Sequence, residues 1–142
     1  MSLAGRWLGA LFRLGPLFRL GTGPARPPIP VPDINWLYPW VSLDNPDHCA
    51  LFEAELRAEI GPRHTLRGRR ARAIGRIDGM DDILYMLDGG EVAQVHLTFA
   101  SRMERDPRWP RAGIFPTVGD WIERSMRPTH EEWSVDARSD PG

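Results

Sequence analysis

A chain of 142 residues is long enough for one domain with tails but too short for two domains of ordinary size. All 18 basic residues are arginine, so no lysine is present to form a Schiff base or to bind phosphate in a P-loop. The single cysteine excludes an internal disulfide and multi-cysteine metal sites, and the formal net charge of −1 gives no overall argument for nucleic-acid binding.

Positive charge is concentrated at the N-terminus. Residues 1–32 contain four arginines and no acid, whereas the remainder has 14 arginines and 19 acidic residues. Residues 1–22 form a basic amphipathic tail in which Leu-Phe-Arg-Leu-Gly occurs twice, on either side of Pro16. Three interpretations stay open for this tail: a poorly ordered extension, weak membrane-surface contact through residues 1–20, or a docking or targeting helix.

A proline-rich linker at 23–32 separates the tail from one predicted domain at 33–127, which a second tail follows at 128–142. The aromatic segment 34–41 predicts an irregular or edge strand. A helix follows, with Asn45 as N-cap, Pro46 at its first position and Gly61-Pro62 after its end. Its apolar stripe consists of Cys49, Phe52, Leu56 and Ile60.

Three strands are predicted next, at 70–77, 83–87 and 91–99, and Gly89-Gly90 predicts a two-residue hairpin loop between the last two. This loop pairs Leu87 with Val92, Tyr85 with Gln94 and Ile83 with His96. A second helix is expected from Val118 to Met126, capped by Thr117 and ended by Pro128. The predicted fold is α+β: a helix, a three-stranded antiparallel meander and a helix, with both helices packed on one sheet face.

The predicted register leaves a mixed outer sheet face that suits recognition, because arginine and tyrosine are strong interface residues. An ordinary solvated face is the alternative. The candidate binding residues on this face are Arg70, Arg72, Arg76, Tyr85, Gln94, His96 and Thr98.

Seven arginines lie within residues 57–76, and five acidic residues follow at positions 78–91. In a meander the two blocks run side by side, so we expect them to pair with each other. This pairing, together with the lack of an aromatic RNA-binding motif, argues against nucleic acid as a partner.

The four histidines lie in different predicted elements, without the spacing that places metal ligands on one helix face. No metal or cofactor is therefore predicted, and Cys49 is read as a small buried hydrophobe. The alternative site for chemistry is around His96, Asp81, Asp82 and Arg76, where a histidine and a carboxylate could act as an acid–base pair.

Two segments, Arg76–Tyr85 and Val92–Phe99, resemble a group of small, uncharacterised bacterial proteins. That group has an Asp-Asp-x-Leu strand, a glycine turn and a Val-His-Leu-Thr-aromatic strand. Leu51–Leu56 and Trp109-Pro110 are also similar, so the resemblance covers about residues 36–127, with Phe99 where the group commonly has tryptophan. It implies a shared fold and a cytoplasmic bacterial protein, and it carries over no activity and no catalytic residue.

The sequence thus leads to two functional expectations. The first is a non-enzymatic module that binds one protein partner, for example as an inhibitor or immunity protein. The second is a small enzyme or ligand-binding protein with its site near His96. Small size, six tryptophans and the lack of a recognisable catalytic motif favour the first.

Overall fold

A computed structural model describes residues 26–139. The predicted basic tail, residues 1–22, lies outside the described residues, and so does the suggested membrane contact. The elements are β1 (Trp40–Ser42), α1 (Pro46–Glu59), β2 (Ala71–Ile77), β3 (Asp82–Leu87), β4 (Val92–His96), β5 (Arg111–Phe115), α2 (Val118–Trp121), a π-helical segment (Ile122–Met126) and α3 (Arg127–Ser139). The strands form one antiparallel sheet in chain order, which confirms the α+β class and extends the predicted meander to five strands.

Local sequence signals place α1 correctly. The side chain of Asn45 accepts hydrogen bonds from the amides of Asp47 and His48, at 2.8 and 3.4 Å, and Pro46 is the first helical residue. Phe52, Leu56 and Ile60 are buried against the sheet, as their spacing predicts. The edge strand expected within 34–41 is short, and only Trp40 and Val41 of that segment belong to β1.

The predicted hairpin register is wrong by one residue. The loop has three residues, 88–90, because the Leu87 amide bonds the carbonyl of Glu91 and the Gly90 amide bonds the carbonyl of Leu87. Gly90 has φ +94°, the left-handed conformation that closes a three-residue loop with a bulge. Tyr85 therefore pairs with Ala93, and Asp82 pairs with His96.

Helices cover both sheet faces, and not one face as predicted. One core joins α1 to Ile83, Tyr85, Leu87, Ala93 and Val95. The segments α2, Ile122–Met126 and α3 follow one another without a break and are together called the C-terminal helix. The other core joins Trp121 and Met126, from this helix, to Leu84, Met86 and Val92. Each face is apolar, so the chain needs a helix on both sides to keep these residues from water.

A bulge in β2 moves part of that strand to the opposite face. The pairing shifts between Ala73 and Gly75, so Ile74 is the extra residue. Ala73 contacts the α1 core, whereas Ile74 and Ile77 contact the core of the C-terminal helix. Strict strand alternation would place Ala73 and Ile77 on one face, but alternation does not continue through a bulge.

The strand β5 was not expected from the sequence, because a glycine at its centre and exposed flanking residues conceal it. It pairs with β4 and places Arg111 opposite His96.

The C-terminal helix is also longer than predicted. Thr117 caps it as expected, but Pro128 does not end it.

Pro128 is accommodated by the π-helical segment before it. The Arg127 amide bonds the carbonyl of Ile122, five residues back, so the hydrogen-bond register has already shifted when the chain reaches the proline. Residues 128–139, part of the predicted C-terminal tail, are consequently helical. Ile29, within the predicted linker, is buried in the same core as Trp121 and Met126.

The tryptophans on this face are mainly structural. Trp121 is fully buried and packs edge-on against Trp36 and Trp40, with ring centroids 5.9 and 5.1 Å away. Its indole nitrogen donates a 2.9 Å hydrogen bond to the Gln94 side chain. This cluster fastens the C-terminal helix to the sheet.

Candidate functional site

The residues predicted to form one outer binding face do not share a surface. Tyr85 is fully buried against α1, where its hydroxyl donates a 2.8 Å hydrogen bond to the carbonyl of Phe52. Gln94 lies on the opposite face, and its side chain accepts hydrogen bonds from Trp121 and Ser125. The one-residue change in register separates these two side chains.

The other predicted binding residues are also divided. Arg70 and Arg72 donate to the carbonyls of Pro27 and Ile29, at 2.9 and 2.6 Å. Arg76 lies over the ring of Phe52 on the α1 side. Thr98 lies beyond the end of β4, where its hydroxyl donates to Glu104.

The structure brings together two residues of the alternative site. Because Asp82 pairs directly with His96, their side chains stand next to each other on one face, and Nδ1 of His96 lies 2.7 Å from the Asp82 carboxylate. The His96 side chain is 45 % exposed. Asp82 therefore holds the imidazole ring and leaves Nε2 available to a ligand. Arg76 is on the opposite face from His96.

An open cleft of about 520 Å³ contains this pair. It lies at the end of the sheet face that the C-terminal helix leaves uncovered. Trp109 and Arg111 form its outer wall, with the guanidinium 5.8 Å from the centre of the indole ring. Within residues 26–139, Arg111 has no hydrogen bond or ion pair through its side chain. The remaining lining residues are Gln94, Ala112 and Gly113.

Sequence reasoning missed Arg111 and Trp109 as site residues because it missed β5. Only the β4–β5 pairing places Arg111 opposite His96, fifteen positions earlier in the chain. The sequence signal available at this point is Trp109-Pro110, which belongs to the resemblance.

Comparison of the chain with models of known protein families, with curated proteins and with solved structures found no match. The resemblance to the bacterial group therefore stays a prediction. In the described range 26–139, no helix is long and apolar enough to cross a membrane. The same residues contain no group of three or more histidine, cysteine or acidic side chains placed to hold a metal ion.

Two glutamates of α1 hold the β4–β5 connection that carries Trp109. The fully buried carboxylate of Glu59 accepts hydrogen bonds from the amides of Thr98 and Phe99, at 2.9 and 2.8 Å. Glu55 accepts from the amide and the hydroxyl of Ser101. Phe99 and Ser101 have φ values of +55° and +54°, which non-glycine residues seldom adopt, so these bonds maintain a strained backbone.

Burial, and to a smaller extent a hydrogen bond with Glu55, raise the pKa of Glu59 to about 7. That same bond lowers the pKa of Glu55. Between the pKa of an unfolded glutamate, about 4.3, and pH 7, the folded chain keeps a proton that the unfolded chain has released. The proton stabilises the fold fully below this window, and its contribution is lost as the pH rises through it.

We expect the free energy of unfolding to fall by about 1–3 kcal/mol between pH 4.5 and 7.5 through this group. Urea unfolding at a series of pH values measures the change. A Glu59→Gln variant cannot titrate at this position, so its curve is expected to be flatter than that of the wild type, although the variant is less stable at pH 5. Parallel curves for the two proteins would contradict the assignment.

Proposed function

We propose that the protein binds a small anionic ligand in the cleft between His96 and Arg111. The observation that carries this proposal is an arginine, Arg111, whose side chain has no hydrogen bond or ion pair within residues 26–139, beside a histidine that a carboxylate holds in place. A guanidinium binds carboxylate or phosphate oxygens through paired N–H groups, and the imidazolium form of His96, which donates through both ring nitrogens, can add a third hydrogen bond through Nε2. Trp109 provides an apolar wall for a flat ring next to the anion.

The size of the cleft fits this ligand class. About 520 Å³ is within the range of small-molecule sites, which extends from about 300 to 1,000 Å³. The Asp82 carboxylate pairs with His96, and with His96 in its imidazolium form the pair carries no net charge to oppose an anion at Arg111. The opening to solvent favours a weakly held ligand, and millimolar probe concentrations are therefore appropriate.

Phenyl phosphate tests the proposal, with benzyl alcohol as the neutral comparison, by NMR titration of the full chain. We expect binding of phenyl phosphate, with shifts at the Trp109 indole, and at least tenfold weaker binding by Arg111→Ala. Arg108→Ala is the matched control, because Arg108 pairs with Asp106 and does not line the cleft. No saturable shift, or equal losses in the two variants, would refute the proposal.

The Asp82–His96 pair also favours a second candidate, a proton-transfer enzyme acting on the bound ligand. A histidine held through Nδ1 can exchange a proton at Nε2, which is the arrangement of a general acid or base. A reaction that requires His96 while His96→Gln still binds the substrate would support this candidate. A protein partner, the first expectation from the sequence, also remains a proposal, but it needs a surface other than the predicted sheet face.

A further inference from the structure

The arginine-rich stretch 57–76 is mostly not neutralised by the acids that follow it. The predicted pairing occurs only at Arg69, whose guanidinium contacts Asp88 and Glu91 at 3.0 and 2.9 Å. Arg70 and Arg72 donate to backbone carbonyls, which satisfies some N–H groups but leaves the positive charge. Arg57 has no side-chain hydrogen bond or ion pair to any residue of 26–139.

These arginines border a groove that the sequence did not indicate. It runs along the first half of β2, with α1 on one side and the segment 28–31 on the other. Its two connected parts, of about 480 and 270 Å³, share Glu53 and Arg72. Leu56, Ile60 and Ala71 give one part an apolar floor, below Arg57, Arg70 and Arg72.

An open strand edge lies inside this groove. Among the described residues, β1 pairs only with Gly75, Arg76 and Ile77, so the β2 backbone before the bulge pairs with β3 on one side and has no neighbouring strand on the other. The Ala73 amide points away from β3 and bonds Glu53 at 2.9 Å, whereas the Arg70 carbonyl points toward β3 and accepts from Asp88. Strand alternation therefore directs the N–H and C=O of Ala71 into the groove.

From this arrangement we propose that the groove binds an extended acidic peptide segment of a partner protein, which adds a short strand to the open edge of β2. An open strand edge offers main-chain hydrogen bonds, which an extended peptide can use. The guanidiniums outnumber the carboxylates along the groove, so charge complementarity selects acidic side chains. None of the aromatic side chains in residues 26–139 lines it, so a flat ring would find no stacking partner among them.

The site is independent of the His96 cleft, and its test is separate from the test of the proposed function. The probe is a synthetic seven-residue peptide in which glutamate alternates with valine or threonine, titrated into the full chain and followed by NMR. Two further peptides complete the set: one with arginine in place of glutamate, and one with N-methyl groups at the central amides, which removes donors but keeps the side chains.

We expect the acidic peptide to bind, to shift the Ala71 amide and to slow its hydrogen exchange. Arg57→Ala is expected to weaken binding about five- to tenfold, whereas Arg63→Ala, an exposed arginine outside the groove, leaves it unchanged. N-methylation is expected to weaken binding at least as much as Arg57→Ala.

Each of four results would overturn the proposal. The first is no binding at millimolar peptide, and the second is an equal effect of Arg57→Ala and Arg63→Ala. The third is equal binding of the N-methylated peptide, which indicates charge attraction without strand addition. The fourth is a set of peptide-induced NMR shifts that leaves the Ala71 amide unaffected. Such shifts would be confined to the basic residues 1–26, to Trp109 or to a contact between two copies of the chain.

Discussion

Replacing Trp121 with alanine is expected to lower the free energy of unfolding by about 3–5 kcal/mol. The side chain is fully buried, packs edge-on against Trp36 and Trp40 and donates a hydrogen bond to Gln94. Its removal leaves a cavity between the sheet and the C-terminal helix that the rigid neighbouring rings cannot fill. A loss of this size is a large part of the stability of a small domain and should lower Tm by more than about 10 °C.

Trp109→Ala is the matched control, because it makes the same chemical change at a side chain that is 37 % exposed. We expect it to cost about 1–2 kcal/mol, since more than a third of this side chain is already in water. Urea unfolding of both variants under the same conditions gives the comparison. Similar losses would show that the Trp121 cluster does not hold the helix to the sheet.

Gly75→Ala is expected to destabilise the fold by about 1–3 kcal/mol, although alanine is ordinarily tolerated in a strand. A Cβ at this position collides with the Trp36 indole, 2.6 Å from Cζ3, and lies 3.2 Å from the Val41 carbonyl oxygen. The indole is itself held against Trp121, and the carbonyl belongs to β1, so neither can move without disturbing the sheet edge.

Gly113→Ala in β5 separates the steric effect from the general effect of replacing a strand glycine. A Cβ there meets only Phe115, at an ordinary 3.8 Å. We expect this variant to be neutral or up to about 1 kcal/mol more stable, because alanine reduces the freedom of the unfolded chain. If both variants unfold at the same urea concentration, the close approach of Trp36 to Gly75 is not a constraint on the fold.

The candidate site could be predicted only in part. Asp82 and His96 were identified from their residue types and from the strands that carry them. The direct contact between them depends on a register that the predicted two-residue loop misses by one position. Arg111 and Trp109 could not be assigned to the site, because an edge strand with a central glycine has little pattern of its own.

The sequence by itself determined the features that depend on a few neighbouring residues. Asn45 and Pro46 set the start of α1, the apolar stripe set its buried face, and the glycine pair placed a turn between β3 and β4. Capping, helical periodicity and turn conformation are local properties, since their groups lie within about four residues of one another.

Tertiary structure alone decided the register, the side on which each helix packs and the composition of the cleft. The left-handed conformation of Gly90 and the bulge at Ile74 each shift side chains to the opposite face, and alternation of residue types does not reveal either. Both faces of the sheet are apolar, so the pattern did not show that a second helix covers the face predicted to be exposed. That helix buries one face only as far as His96 and Arg111, and the end it leaves open is the candidate site.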